Sequence, residues 1–184
     1  MNRKDFFKKA CLTGACMCGF SSIALSNKKN SVQSEVTQDG NLILIQTWIS
    51  NLLSNLNEEL DEEGKRSVLK NCSVVHYENL KMDDVLSPFV GNLEKFIGFL
   101  EEKWGWKIDY NKETKTLIAN ENKNYCVCPI INNKDGVNNF SLCYCSEGFA
   151  EKMFSVVKGV PASATVISSI QRGDKKCIYK IEFE

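Results

Sequence analysis

The chain has 184 residues, 43% of them hydrophobic and 25% charged, with 23 basic and 23 acidic side chains in formal balance. That length fits one domain able to bury a real core. The balance of charge leaves no basic face of the kind that holds nucleic acid.

The chain opens with a charged run, Arg3-Lys4-Asp5 followed by Lys8-Lys9, then an apolar, small-residue stretch from Ala10 to Phe20, then Ala24-Leu25-Ser26. These are the n-region, h-region and small-x-small cleavage site of an export signal covering residues 1–26. The apolar stretch falls short of the roughly 20 residues that a membrane-spanning helix needs. Arg3-Lys4-Asp5-Phe6-Phe7-Lys8 resembles a twin-arginine signal with lysine in place of the second arginine. Thr13-Gly14-Ala15-Cys16 resembles a lipoprotein processing site, and lipidation of Cys16 would anchor the product to a membrane. The expectation is an exported protein, periplasmic or otherwise extracytoplasmic. Losing the signal removes four basic residues and one acidic residue, leaving 19 basic and 22 acidic.

Residues 27–40 are polar and read as a linker ahead of one domain over 41–184. Ile45, Trp48, Ile49, Leu52, Leu53, Leu56 and Leu60 then recur at three and four residues, one apolar helical stripe. A second helix is announced by Asp61, Glu62 and Glu63, acids that favour a helix start, with Val68, Leu69, Cys72 and Val75 on one side. A third runs from Asn92 to Trp104 through Leu93, Phe96, Ile97 and Leu100.

From Trp106 the period changes to two. Trp106 to Tyr110 and Lys115 to Ala119 form a hairpin about Asn111-Lys112. Tyr125-Cys126-Val127-Cys128 and Phe140 to Cys145 read as another, turning at Asp135-Gly136. With the turn centred there, Cys126 lies opposite Cys145 and Cys128 opposite Cys143, and the four thiols share one face. Ser146 can cap a helix through Phe149, Met153 and Val157 that stops at Gly159, with Pro161 beyond. Ser163 to Ile170 and Cys177 to Phe183 close the chain as a last hairpin, and Arg172-Gly173-Asp174 is turn chemistry. The fold class is α+β, with N-terminal helices followed by an antiparallel sheet of hairpins and one further helix between strands.

Six cysteines follow the signal: Cys72, Cys126, Cys128, Cys143, Cys145 and Cys177. Four of them form the two Cys-x-Cys pairs. Those pairs suit zinc, which takes four soft ligands at about 2.3 Å. They equally suit cross-strand disulfides in an exported protein, or free thiols packed as small hydrophobes. Cys145, just ahead of a helix start, is placed for a lowered thiol pKa. Cys72 and His76 lie four apart on one helix and read as a nucleophile with its base, as two ligands, or as a buried cysteine beside a satisfied histidine. His76 is the single histidine, so any Cys–His or Ser–His mechanism must use it. Trp104, Trp106, Phe96, Tyr144, Phe149 and Phe154 are enough aromatics to line a pocket or fill a core.

The stretch from Cys143 onward, with Cys145-Ser146-Glu147-Gly148-Phe149-Ala150, Gly159-Val160-Pro161, Ser168-Ser169-Ile170 and Cys177-Ile178-Tyr179-Lys180-Ile181, is similar to the end of the 4-vinyl-reductase-type small-molecule-binding domain. It also resembles the L-2-amino-thiazoline-4-carboxylic acid hydrolase family. The resemblance implies an antiparallel sheet enclosing an apolar pocket, with a cysteine-rich zinc site beside it. Cys145 and Cys177 fall where such ligands fall, whereas Ser169 and Val166 stand where a ligating member offers a cysteine or an acid. Cys126, Cys128 and Cys143 could supply the missing ligands, with Cys177 as the alternative.

The reading at this point is an exported domain, monomeric or homodimeric, that binds a small, largely apolar molecule and holds zinc at its cysteines. Its alternatives are a hydrolase acting on a small amide or thiazoline-type substrate through Cys72 and His76, and a thiol redox protein.

Overall fold

The computed structural model describes residues 33–130 and 140–184. The export signal and the Asp135-Gly136 turn lie outside the described residues. Thr37–Glu184 forms one compact unit.

Helix α1 spans Gln33–Glu59, α2 Glu62–Asn79, α3 Met82–Leu86 and α4 Leu93–Phe99, the last continuing as a wide π turn through Leu100–Trp104. Strands β1 (Lys107–Asn111) and β2 (Thr116–Asn120) follow, then α5 (Cys143–Lys158), β3 (Ala162–Ser168) and β4 (Ile178–Phe183). The strands form one antiparallel sheet in the order β1-β2-β4-β3. The α+β class and both of these hairpins are as the sequence predicts, and α5 is the helix between strands.

The local signals act as expected at several element ends. The Asp61 carboxylate accepts the Gly64 N–H at 2.8 Å and caps α2, and Asn92 does the same for α4 through the Lys95 N–H. Helix α5 ends at Gly159, whose φ of 76° is the left-handed conformation that closes a helix. At the turn before β4, Asp174 accepts the Ser169 N–H and Ser169 Oγ accepts the Gln171 N–H.

The main core lies between α5 and the sheet. Met153, Phe154 and Val157 of α5 meet Leu117, Ala119, Ala164, Ile181 and Phe183, with Phe96 and Leu100 closing one side. A smaller cluster joins Leu53 of α1 and Leu69 of α2 to Leu142, Tyr144 and Cys145.

Three sequence expectations differ from what is seen. Residues 124–128 form no strand, and Cys143 and Cys145 lie in the first turn of α5, so the Cys-x-Cys hairpin and its register are wrong. The run from Ser141 to Cys145 is too short for its alternation to outweigh helical period. Tyr144, Cys145, Gly148 and then Ala150, Met153, Phe154 and Val157 are buried at helical spacing, and that pattern carries α5 back through the cysteines. In α2 the buried face is Lys65, Leu69, Ser73 and Tyr77, while Val68, Cys72 and Val75 are exposed. In α1, Leu53 is buried and Ile49 and Leu56 half-buried, but Ile45, Trp48 and Leu52 of the same stripe are exposed.

Candidate functional site

A cavity of about 370 Å³ opens between the start of α5, the end of α2, the sheet and the loop after β2. Its size is at the lower end of the roughly 300–1,000 Å³ typical of small-molecule pockets. The wall is mostly apolar: Trp104 and Trp106 from the corner before β1, Phe149 and Leu142 from α5 and its approach, and Val127 and Ile130 from the loop. Trp104 packs edge-on to Trp106 at 5.4 Å, and Trp106 stacks on Tyr179 at 6.4 Å. Of the aromatics singled out in the sequence, Trp104, Trp106 and Phe149 line this space. Phe96, Tyr144 and Phe154 do not line it and are buried in the two cores.

Five of the six cysteines border the same cavity: Cys126, Cys128, Cys143, Cys145 and Cys177. The structure thus gathers the predicted ligand set from three separate segments, though by a different route from the expected hairpin. Among the described residues, none of the six is joined in a disulfide. Among the described residues, no three His, Cys, Asp or Glu side chains are grouped closely enough to share a metal ion, so the thiols fringe the space without converging on a point. Cys143 is hydrogen-bonded to Ser169 Oγ at 2.9 Å. Ser169 is one of the two positions that the C-terminal resemblance marks for a ligand; at the other, Val166 donates its N–H to Glu147.

His76 lies half-buried on the cavity wall with its ring 5.0 Å from that of Phe149, and burial lowers its pKa. Cys72 is exposed and is not part of that wall. The expected burial of Cys72 is therefore a correction: the turn that points Leu69 and Ser73 inward leaves position 72 outside.

The polar part of the wall was missed in the sequence. Glu121, one residue past β2, is 8% exposed, and its Oε1 accepts the Tyr179 hydroxyl at 2.8 Å. Its Oε2 is buried with no hydrogen-bond partner among the described residues. Burial raises the Glu121 pKa, and Lys123 acts in the opposite direction. A signal was present: Leu117, Ala119 and Glu121 are spaced by two, so an acid stands in phase with the inward face of β2.

A family model described as a family of unknown function (DUF6144) matches residues 26–184. The chain belongs to DUF6144. Membership of the 4-vinyl-reductase-type or thiazoline hydrolase families, which the C-terminal motifs resemble, is not shown by that match. No curated protein matches the chain. Among solved structures, a trafficking protein particle complex subunit 3 from Naegleria fowleri, covalently bound to palmitic acid, is similar over 80% of this chain and 96% of its own, at 10% identity and a TM-score of 0.49. Likeness at that level carries neither fold nor ligand across.

In this DUF6144 chain the chemistry of the cavity thiols is set by burial. Cys143, Cys145 and Cys177 are each pushed up to about 11, chiefly by desolvation. For Cys145 this reverses the expectation of a lowered pKa, because loss of water around the buried thiol outweighs the helix dipole. The three are protonated at pH 8 and enclosed, and should react with iodoacetamide more slowly than exposed Cys72, since the thiolate is the nucleophile and must be reached. Mass spectrometry of timed labelling checks this, and labelling of Cys145 ahead of Cys72 would contradict it. Among the described residues, no helix is long and apolar enough to cross a membrane.

Proposed function

We propose that this DUF6144 chain is an exported domain that binds a small, largely apolar molecule in the cavity between α5 and the sheet. The observation that carries the reading is the cavity wall itself: aromatic and aliphatic side chains with cysteines around one short polar strip. Apolar pockets with few polar groups are where small ligands bind, because each apolar contact removes surface from water at about 25 cal/mol per Å². The C-terminal resemblance to small-molecule-binding domains points the same way.

Titration with decan-1-ol tests it through the emission of Trp104 and Trp106, with Trp48→Phe as background because Trp48 is exposed on α1. The emission should change saturably. Ser146→Phe, which puts a ring into the cavity from a half-buried position, should remove the response while leaving the unfolding midpoint close to that of the parent. An unchanged response in Ser146→Phe would place the binding elsewhere.

A second reading, zinc on Cys126, Cys128, Cys143 and Cys145 with Cys177 as the alternative, is favoured by the gathering of all five around one space. As placed, they do not converge. Burial also keeps three of them protonated, whereas zinc needs thiolates, which a bound cation would itself stabilise. A hydrolase reading would rest on Cys72 and His76, four apart on α2; of the two, His76 borders the cavity and Cys72 is exposed outside its wall, so the pair draws less on this space. Redox chemistry between Cys126 and Cys145 remains a chemical option of thiols that border one space. The small-molecule reading stands first because it uses the wall as it is.

A further inference from the structure

The cavity carries one polar feature that its own chain leaves incomplete. Glu121 is 92% buried, forms part of the wall, and has one carboxylate oxygen satisfied by Tyr179 and the other, among the described residues, by nothing. A buried polar oxygen without a partner costs about 1–3 kcal/mol. Such a group in a native fold needs a reason, and a ligand that supplies the missing bond is one.

The hydrogen bonding around Glu121 has a direction. The Tyr179 hydroxyl donates to Oε1, so the phenol proton is committed to Glu121 and the hydrogen bonding ends on an acceptor. The oxygen left over is likewise an acceptor. Lys123, also on the wall, already supplies a positive charge near the carboxylate, so a neutral donor suffices there and a second cation would be repelled. Beside this strip stand the Trp106 and Tyr179 rings, which suit an apolar body.

We propose that the cavity selects ligands with an apolar body and a neutral hydrogen-bond-donating head, an alcohol or an amide N–H, bound at Glu121 Oε2. This rests on the small-molecule reading above and names the class of molecule. Carboxylate-headed ligands are rejected, because two negative oxygens would face one another in a buried site.

Three probes of one chain length test it on the full chain by tryptophan emission: decan-1-ol, its methyl ether and decanoate. The alcohol should bind about tenfold more tightly than the ether, the worth of one hydrogen bond to a charged acceptor. Decanoate should bind more weakly than either. In Glu121→Gln the amide can keep the bond from Tyr179 while presenting N–H in place of Oε2; alcohol and ether oxygens both accept from it, so the affinity advantage of the alcohol should fall to about one. A structural role for Glu121 would weaken all probes together and leave the ratio unchanged. Equal binding of alcohol and ether by the parent protein, or tightest binding of decanoate, overturns the head-group inference while leaving the cavity as a ligand site. Absence of binding by all three overturns the cavity reading itself. The parent ratio decides the matter without the variant, should Glu121→Gln fold poorly.

Discussion

Gly148→Ala is expected to destabilise the protein by about 3 kcal/mol, the upper part of the usual range for overpacking a well-packed core. Gly148 lies in α5 where that helix crosses α2. A Cβ added there would sit 2.5 Å from the Lys70 carbonyl oxygen, 2.9 Å from the Lys70 Cα and 2.8 Å from Ser73 Oγ. Two of those three atoms are backbone, so no rotamer change relieves the clash and the helices must separate. Separation would also loosen Leu69 and Tyr77 of α2 from their places in the two cores. Gly98 in α4 provides the control, because a Cβ there meets nothing within 4 Å. Gly98→Ala should stabilise by roughly 0.5–1 kcal/mol through helix propensity alone. Urea unfolding of the two variants checks both signs, and equal small effects would contradict the close crossing.

The second large effect belongs to Glu147, which is fully buried one turn into α5. Its Oε1 accepts the Val166 N–H at 2.9 Å, and one helical turn on, Glu151 Oε1 accepts the Ala164 N–H at 2.9 Å. Strand β3 is at the sheet edge, so these N–H groups have no neighbouring strand and the helix carboxylates take its place. Glu147 Oε2 makes no hydrogen bond but has Arg66 at 3.5 Å and Lys70 at 3.7 Å, and Lys70 also pairs with Glu151 at 2.5 Å. Glu147→Ala leaves Val166 N–H unpaired, a cavity in the helix–sheet seam and two cations without their buried partner. A loss of about 3 kcal/mol is expected, chiefly from the unsatisfied Val166 N–H and the cavity left in the seam, since Arg66 is exposed to water and Lys70 keeps Glu151. Glu147→Gln keeps an acceptor for Val166 and should lose less than half as much. Faster amide exchange at Val166 in Glu147→Ala, but not in Glu147→Gln, would tie the loss to the strand edge. Equal losses in both variants would assign it to charge alone.

How far the sequence discloses this fold depends on segment length and on what each helix packs against. The hairpin of β1 and β2 and that of β3 and β4 have clear alternation and appear nearly where expected. The Asp61 start of α2 and the Gly159 end of α5 follow from capping chemistry. The inward face of α2 was not legible because it is largely polar. Ser73 faces the Gly148 crossing, and Lys65 is held by Glu62 at 2.5 Å, so a search for apolar residues selects Val68 and Val75 on the wrong side. In α1 a strong apolar period marks the helix correctly but overstates its burial, since hydrophobic spacing states what could be covered and not what is. For the site, five of the cysteines border the cavity, but from the start of α5, the loop after β2 and the approach to β4 rather than from the expected hairpin. Glu121 was invisible as a functional group until Tyr179, 58 residues away, was seen to bind one of its oxygens and nothing among the described residues to bind the other.

The measurement that tests the central claim most directly is a ¹H–¹⁵N spectrum of the protein titrated with decan-1-ol, because it reports where the probe sits as well as whether it binds. Shifts concentrated at residues 121–128, 142–149 and 171–179, which border the cavity, are the predicted result. Shifts confined to residues 42–52 would contradict it, since they would place the apolar site on the exposed stripe of Leu42, Ile45, Trp48 and Leu52 along α1 and leave the cysteine-lined cavity without a ligand.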